Sequence, residues 1–190
     1  MKEFYTGNTY RTADGHKTPV WDFILLRTRL YFYIRVIGSI LKYSLKYARK
    51  GLYSPQMWAT ESNDILKICE DSGGKIEVTG LDNIRSVKDE PVVLVGNHMG
   101  LLETLLLPSF IEPIKRVTFI VKSSLLEFPY FGDIMRSTNP IIVGRENPRE
   151  DLIKVLEEGA QNLKKKISVA LFPQSTRQPF FDTKKFNSLG

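Results

Sequence analysis

"NPIIVGRENPREDLIKVLEEGAQNLKKKISVALFPQ" occupies residues 139–174, and its two apolar ends decide the fold. "PIIVG" (140–144) and "ISVALF" (167–172) are short runs rich in β-branched residues, which marks them as strands. Between them Asn147 stands as an N-cap, Pro148 takes the first helical position and Glu150 completes a capping box. Leu152, Val155, Leu156, Ala160 and Leu163 then recur on one helical face. Lys164, Lys165 and Lys166 close the segment, where cations suit the helix dipole. They read as a solvated helix end or, alternatively, a lipid contact. A strand, a helix and a second strand, with both strands apolar throughout, predict a parallel pair covered by helices.

Working outward toward the N-terminus, "VTFIV" (117–121) and "PVVLVG" (91–96) read as two more buried strands, and "KIEVTG" (75–80) as an edge strand. The predicted class is α/β, with a mainly parallel central sheet and helices on both faces. No internal repeat or low-complexity tract interrupts it.

The N-terminal third differs. "WDFILLRTRLYFYIRVIGSILKYSLKYARKGLY" (21–53) is aromatic and aliphatic but repeatedly broken by Arg and Lys. No uncharged run approaches the ~20 residues that span a bilayer. At ~100° per residue, Arg35, Lys42, Lys46 and Arg49 fall in a narrow arc, with Thr28 and Ser39 close by. Leu26, Leu30, Tyr33, Ile37, Ile40 and Leu41 take the other side, and Gly38 is a candidate break. Such an amphipathic helix either lies in a membrane interface, with its cations toward anionic lipid, or packs on the core with its cations in water. Residues 1–20 are a polar tail without the apolar stretch of a secretory signal, and His16 within it is expected to be solvated.

Hydrophobic residues make up 42% and charged residues 25% of the 190-residue chain, enough for one domain with a sizeable core. The single cysteine, Cys69, excludes an internal disulfide framework and, lying in a polar helical stretch, is not expected to be a nucleophile. A net charge of +6 favours an anionic partner, but charge cannot say which. Nucleic acid has only that charge in its favour, because no recognised binding motif is present and the aromatic residues cluster in the amphipathic segment.

The unusual polar residues follow the strands. His98 comes after 91–96, Lys122 after 117–121, Arg145 after 140–144, and Gln174, Ser175, Thr176 and Arg177 after 167–172. Carboxyl ends of parallel strands share one edge of a sheet, and ligands bind there. In "VVLVGNHMGLLETLLLP" (92–108), His98 and Glu103 flank the start of a helix, five residues apart. A carboxylate on one ring nitrogen fixes the tautomer and leaves the other nitrogen as a general base. The alternative is a histidine satisfied by local backbone, with Glu103 merely solvated. With no serine or cysteine nucleophile nearby and no G-x-S-x-G, an attacking hydroxyl would come from a substrate.

Four blocks in this order resemble the glycerolipid acyltransferases, of which 1-acylglycerol-3-phosphate acyltransferase is the standard member. "NHMGLLE" resembles their N-H-x4-D/E block and "FPQSTR" (172–177) their F-P-E-G-T-R block. "NPIIVGR" (139–145) and "VKSSLLEFPYFG" (121–132) resemble the blocks between. The resemblance covers about 78–190. It makes 73–190 an acyltransferase domain behind an amphipathic, membrane-associating region (21–72).

The resemblance implies acyl transfer from acyl-CoA or acyl-carrier protein to a lysophospholipid hydroxyl, in phospholipid biosynthesis. His98 would be the base and Glu103 its orienting carboxylate. Lys122, Arg145 and Arg177 would bind phosphate, with Gln174, Ser175 and Thr176 beside them. No metal and no cofactor beyond the acyl donor is implied. The anionic membrane surface would be a partner, and the enzyme peripheral or monotopic with its site facing the cytoplasm. Another lysolipid or polar acceptor, or a non-catalytic membrane-binding relative, are the rival readings.

Three departures stand out. Glu103 replaces the commoner aspartate, Gln174 replaces a glutamate and Ser175 a glycine. The last two bear on lysophosphatidic acid as acceptor more than on acyl transfer. The family's closing V-P-[IV]-x-P strand is not found before "FNSLG", so the chain reads as a fragment lacking the end of the domain.

Overall fold

A computed structural model describes residues 3–16, 20 and 29–174. Four strands form one parallel sheet in the order β3 (Val93–Val95), β6 (Ser168–Leu171), β4 (Val117–Lys122), β5 (Ile141–Val143). In register, Val95 lies opposite Leu171, Phe119 opposite Ala170 and Lys122 opposite Val143. The last strand among the described residues is therefore inserted between the first and second of the sheet. All four carboxyl ends point to one edge, as the alternation of strands and helices predicts.

One face of the sheet carries most of the core. Val117, Phe119 and Val121 alternate along β4 onto Tyr43, Trp58, Ile111, Ile134 and Met135. These come from α1 (Arg29–Lys46), α2 (Pro55–Asp71), α4 (Leu102–Ile111) and α5 (Phe131–Ser137). The Trp58 ring meets Phe119 edge-on at 5.4 Å. A second cluster, Val36, Ile65, Leu66, Cys69, Leu106 and Phe110, ties α1, α2 and α4 together with Leu81 of α3 (Leu81–Ser86). α2 starts on Pro55, with the Ser54 hydroxyl accepting the Met57 N–H at 3.3 Å. Cys69 is buried, and burial pushes its thiol up to about 11, an environment for packing rather than attack.

The opposite face is covered by α6 (Pro148–Lys164), which packs on β5 and β6. Asn147 caps α6, and its side-chain amide donates to Glu150 at 2.6 Å, so the box closes through the side chain of the cap and not its backbone N–H. The helix turns Val155, Gly159 and Leu163 inward and leaves Leu152, Leu156 and Ala160 exposed, so only part of the expected apolar face is used.

Several expectations are corrected. β3 was expected to be buried, but it lies at the sheet edge beyond the reach of α6, with Val93 and Val95 exposed. The expected edge strand, β2 (Glu77–Thr79), is not part of this sheet. It pairs antiparallel with β1 (Thr9–Arg11), with Thr9 opposite Thr79. That pairing draws the first residues out of the expected polar tail. Tyr10 and Thr12 donate to the buried Glu70 carboxylate at 2.5 and 2.7 Å, Tyr5 donates to Asn63 at 2.5 Å, and the Tyr5 ring stacks on Phe110. Buried polar groups need partners, and α2 finds them in this segment. His16 is not simply solvated, since its Nε2 lies 3.1 Å from Asp71.

α1 runs from Arg29 to Lys46 without a break at Gly38. It packs through Val36, Ser39, Tyr43 and Ser44. The basic arc is partly neutralised by neighbours: Arg35 pairs with Asp71, Arg49 donates to Asp133 at 2.7 Å, and Lys42 lies 3.8 Å from Asp64. Leu30, Tyr33, Ile34, Ile37 and Leu45 remain exposed. Leu26 and Thr28, named with this helix above, lie outside the described residues. Among the described residues no helix is long and apolar enough to cross a membrane.

Candidate active site

β3 ends at Val95, and Gly96 carries the ladder one step further by donating to the Leu171 carbonyl at 3.1 Å. A Cβ at Gly96 would lie 3.3 Å from the Phe172 ring, so a larger residue would have to push that ring aside. Phe172 in turn stacks on the His98 imidazole, with ring centroids 4.9 Å apart.

α4 begins four residues beyond His98, and its first turn carries Glu103. One carboxylate oxygen, Oε1, accepts three hydrogen bonds: from the backbone N–H of Met99 at 2.9 Å, from that of Gly100 at 2.8 Å, and from His98 Nδ1 at 2.9 Å. Burial pushes the carboxyl up, but the hydrogen bonds from Gly100, its own backbone and His98 outweigh this and hold it below the usual carboxylate range. An ionised carboxylate only accepts, so the proton of neutral His98 sits on Nδ1 and the lone pair on Nε2. The side chain of His98 is mostly buried yet not sealed, and Met99, Leu101 and Leu102 beside it are exposed. The arrangement is an oriented imidazole base in an apolar surrounding.

Gln174 reaches the same loop from β6. Its side chain is buried, and Oε1 accepts the backbone N–H of His98 at 2.5 Å. Lys122 ends β4 and is exposed, and Arg145 follows β5 and is exposed. Neither has an ion-pair partner among the described residues. Strand spacing sets β4 and β5 about 10 and about 14 Å across the sheet from β3. Arg145 adopts a left-handed backbone, φ +66°, that non-glycine residues rarely take. Asp151, in the first turns of α6, holds it there by accepting the N–H groups of Gly144 at 2.9 Å and Arg145 at 2.7 Å.

The structure thus joins His98, Glu103 and Gln174 directly and sets Lys122 and Arg145 on the same edge. Ser175, Thr176 and Arg177 lie outside the described residues. Two contributors were not read from the sequence. Phe172 was visible inside its block only as an apolar residue, and Asp151 as an ordinary first-turn acid. The spacing of Asp151 behind a strand-ending glycine, parallel to Glu103 behind His98, was the available signal. Among the described residues no cluster of His, Cys, Asp and Glu is placed to hold a metal ion.

Residues 75–188 match the family model described as Acyltransferase, which is more than half of the chain. The chain belongs to this acyltransferase family. It is 34% identical over 119 residues to a 1-acyl-sn-glycerol-3-phosphate acyltransferase of Pseudomonas aeruginosa, a match covering 63% of this chain and 44% of that protein. It is 27% identical over 97 residues to a protein of the same name from Helicobacter pylori, covering 51% of this chain and 40% of that protein. The matched part spans less than half the length of either relative. No solved structure matches the chain.

Proposed function

We propose that this chain carries the O-acyltransferase site of an enzyme of phospholipid synthesis. His98 Nε2 takes the proton of an acceptor hydroxyl as that oxygen attacks the thioester carbonyl of acyl-CoA or acyl-carrier protein. The new C–O bond forms, the C–S bond breaks, and the imidazolium returns its proton to the departing thiolate. Glu103 stays ionised, orients the ring and stabilises the imidazolium. The acceptor is a lysophospholipid of the 1-acylglycerol-3-phosphate kind. Lys122, Arg145 and Arg177 take its phosphate or that of the donor, the two guanidinium groups through paired hydrogen bonds and the Lys122 ammonium as a point charge. Thr176 and Ser175 lie in the same block. The observation that carries the reading is the 2.9 Å contact between His98 Nδ1 and Glu103 in a partly buried, strand-end loop.

Two further features support a lipid substrate. Leu30, Tyr33, Ile34, Ile37 and Leu45 form an exposed apolar stripe on α1, flanked by Lys46 and by Lys50, which follows the helix; neither lysine has an ion-pair partner among the described residues. Such a surface suits peripheral or monotopic binding to an anionic membrane, with the active edge toward the cytoplasm. Charge reversal at Lys46 and Lys50 is expected to weaken sedimentation with anionic vesicles by roughly 1 kcal/mol per cation. A different acceptor is a second reading, favoured by Ser175 standing where the resembled block has glycine.

The test is turnover of labelled acyl donors against a panel of lysolipids, using the full-length protein. His98→Ala, shown folded by circular dichroism, is expected to lose at least about a hundredfold in turnover. Near-parental turnover in that variant would falsify the assignment of the base.

A further inference from the structure

Gln174 stands where the resembled block places an acceptor-reading residue, yet its side chain is 4% exposed and its oxygen is committed to the chain itself. The parallel ladder between β3 and β6 pairs Val95 with Leu171 and continues through the Gly96 N–H to the Leu171 carbonyl. It then meets Pro173, which has no N–H to offer. The His98 N–H is the next donor along that edge. It is taken not by backbone but by Gln174 Oε1 at 2.5 Å, across 76 residues of sequence. An amide can accept only through its oxygen, so the donor N–H fixes which way Gln174 is turned.

We propose that Gln174 is a positioning residue for His98, clamping the backbone of the base while Glu103 clamps its ring. The inference rests on the reading of His98 as the base. Two anchors act on different coordinates. Glu103 sets the rotation of the imidazole through Nδ1, from α4. Gln174 sets where the Cα of His98 lies, from β6. Stacking of the imidazole on Phe172, also carried by the segment after β6, adds to the second. Without the amide oxygen the His98 N–H would be left without its buried partner, and the loop would shift to find water. A displacement of about 1 Å at the reacting atom costs on the order of a hundredfold in rate. The role needs an acceptor oxygen of this reach and does not need a charge. That is why an uncharged glutamine can serve where the resembled block has a carboxylate.

The experiment is steady-state kinetics on the full-length protein, with a long-chain acyl-CoA and 1-acylglycerol-3-phosphate, for the parent, His98→Ala, Gln174→Met and Gln174→Glu. Gln174→Met keeps length and burial but removes the acceptor. It is expected to lower kcat by about 10- to 100-fold with KM for both substrates within about threefold. Gln174→Glu restores an acceptor oxygen and is expected to recover most of kcat. Gln174→Ala serves as a second acceptor-free variant if Gln174→Met does not fold. A rise in acceptor KM with kcat retained overturns the proposal, since it shows a residue that reads substrate. An inactive His98→Ala beside a Gln174→Met with parental kcat overturns the clamp alone. Parental turnover in His98→Ala overturns the base reading, and the clamp with it.

Discussion

The turn after β3 and the turn after β5 are built with the same device and reach different ends. In each, a carboxylate from the following helix reaches back to two consecutive backbone N–H groups of the loop. After β3, Glu103 gathers Met99, Gly100 and the His98 ring on a single oxygen. After β5, Asp151 uses its two oxygens separately, one for Gly144 and one for Arg145, and touches no side chain. The difference is reach and chemistry. Glutamate entering at the first turn, with its extra methylene, spans backbone and imidazole together. Aspartate two residues further into its helix spans only backbone and leaves the exposed Arg145 side chain without an ion-pair partner among the described residues. In the proposed reaction the first turn fixes the atom that must be placed to within a fraction of an ångström for proton transfer. The second would fix only where a cation emerges, which is what the proposed phosphate contact needs.

Breaking the first turn is expected to have the largest effect. Glu103→Gln should cost on the order of a hundredfold in turnover, because an amide cannot stabilise the imidazolium as a carboxylate does. Glu103→Asp should retain more, keeping charge and losing reach. Rates for the two variants, compared at saturating donor, check both statements. The same carboxyl is held below its ordinary range, so its contribution to stability is present above the unfolded carboxylate range and is lost as pH falls through the lower folded value. Denaturant unfolding midpoints of the parent and Glu103→Gln, measured against pH, should therefore converge in strong acid.

Breaking the second turn should be milder. Asp151→Ala releases the Gly144 and Arg145 amides and the left-handed Arg145. An approximately tenfold rise in acceptor KM is expected, equivalent to about 1.4 kcal/mol, with kcat nearly kept. A fall in kcat at unchanged KM would show that Asp151 serves the chemistry and not the binding.

Arg145→Gly sharpens the contrast further. Glycine accepts φ +66° without strain, so the variant should be more stable than the parent by about 1 kcal/mol while binding acceptor less well. Thermal unfolding and KM, measured together, check this opposition. A loss of stability would mean that the Arg145 side chain is anchored.

The smallest effect is expected at the opposite end of the sheet. Glu112, at the C-terminus of α4, reaches forward to a single backbone N–H, that of Val117 at 2.8 Å, and its side chain is fully buried. Burial pushes its carboxyl up to about 7, against the opposing pull of Val117 and Arg116. A raised carboxyl favours the folded state when protonated, so that stability is present below the unfolded carboxylate range and falls as pH rises toward 7. Glu112→Gln should flatten this fall, giving a variant equal to the parent near pH 5 and slightly more stable near pH 8. Activity should not change.

Much of this was legible locally. The Asn147–Pro148 start of α6, the β-branched runs and the five-residue spacing of His98 and Glu103 are written within single turns of chain, where caps and periodicity act. The sequence by itself determined that strands alternate with helices, that polar residues gather at strand carboxyl ends, and that a carboxylate stands within reach of His98. Only the tertiary structure decided that β6 enters between β3 and β4, which puts Gln174 on the His98 amide. It also decided that β2 pairs with β1, that β3 lies at an edge with two valines in solvent, and that α1 turns Ser39 and Ser44 inward and Leu30 and Leu45 out. These are choices between partners far apart in the chain. Strand order and helix facing are settled by which surfaces are left to bury and which buried polar groups find donors, and no window of sequence holds that information.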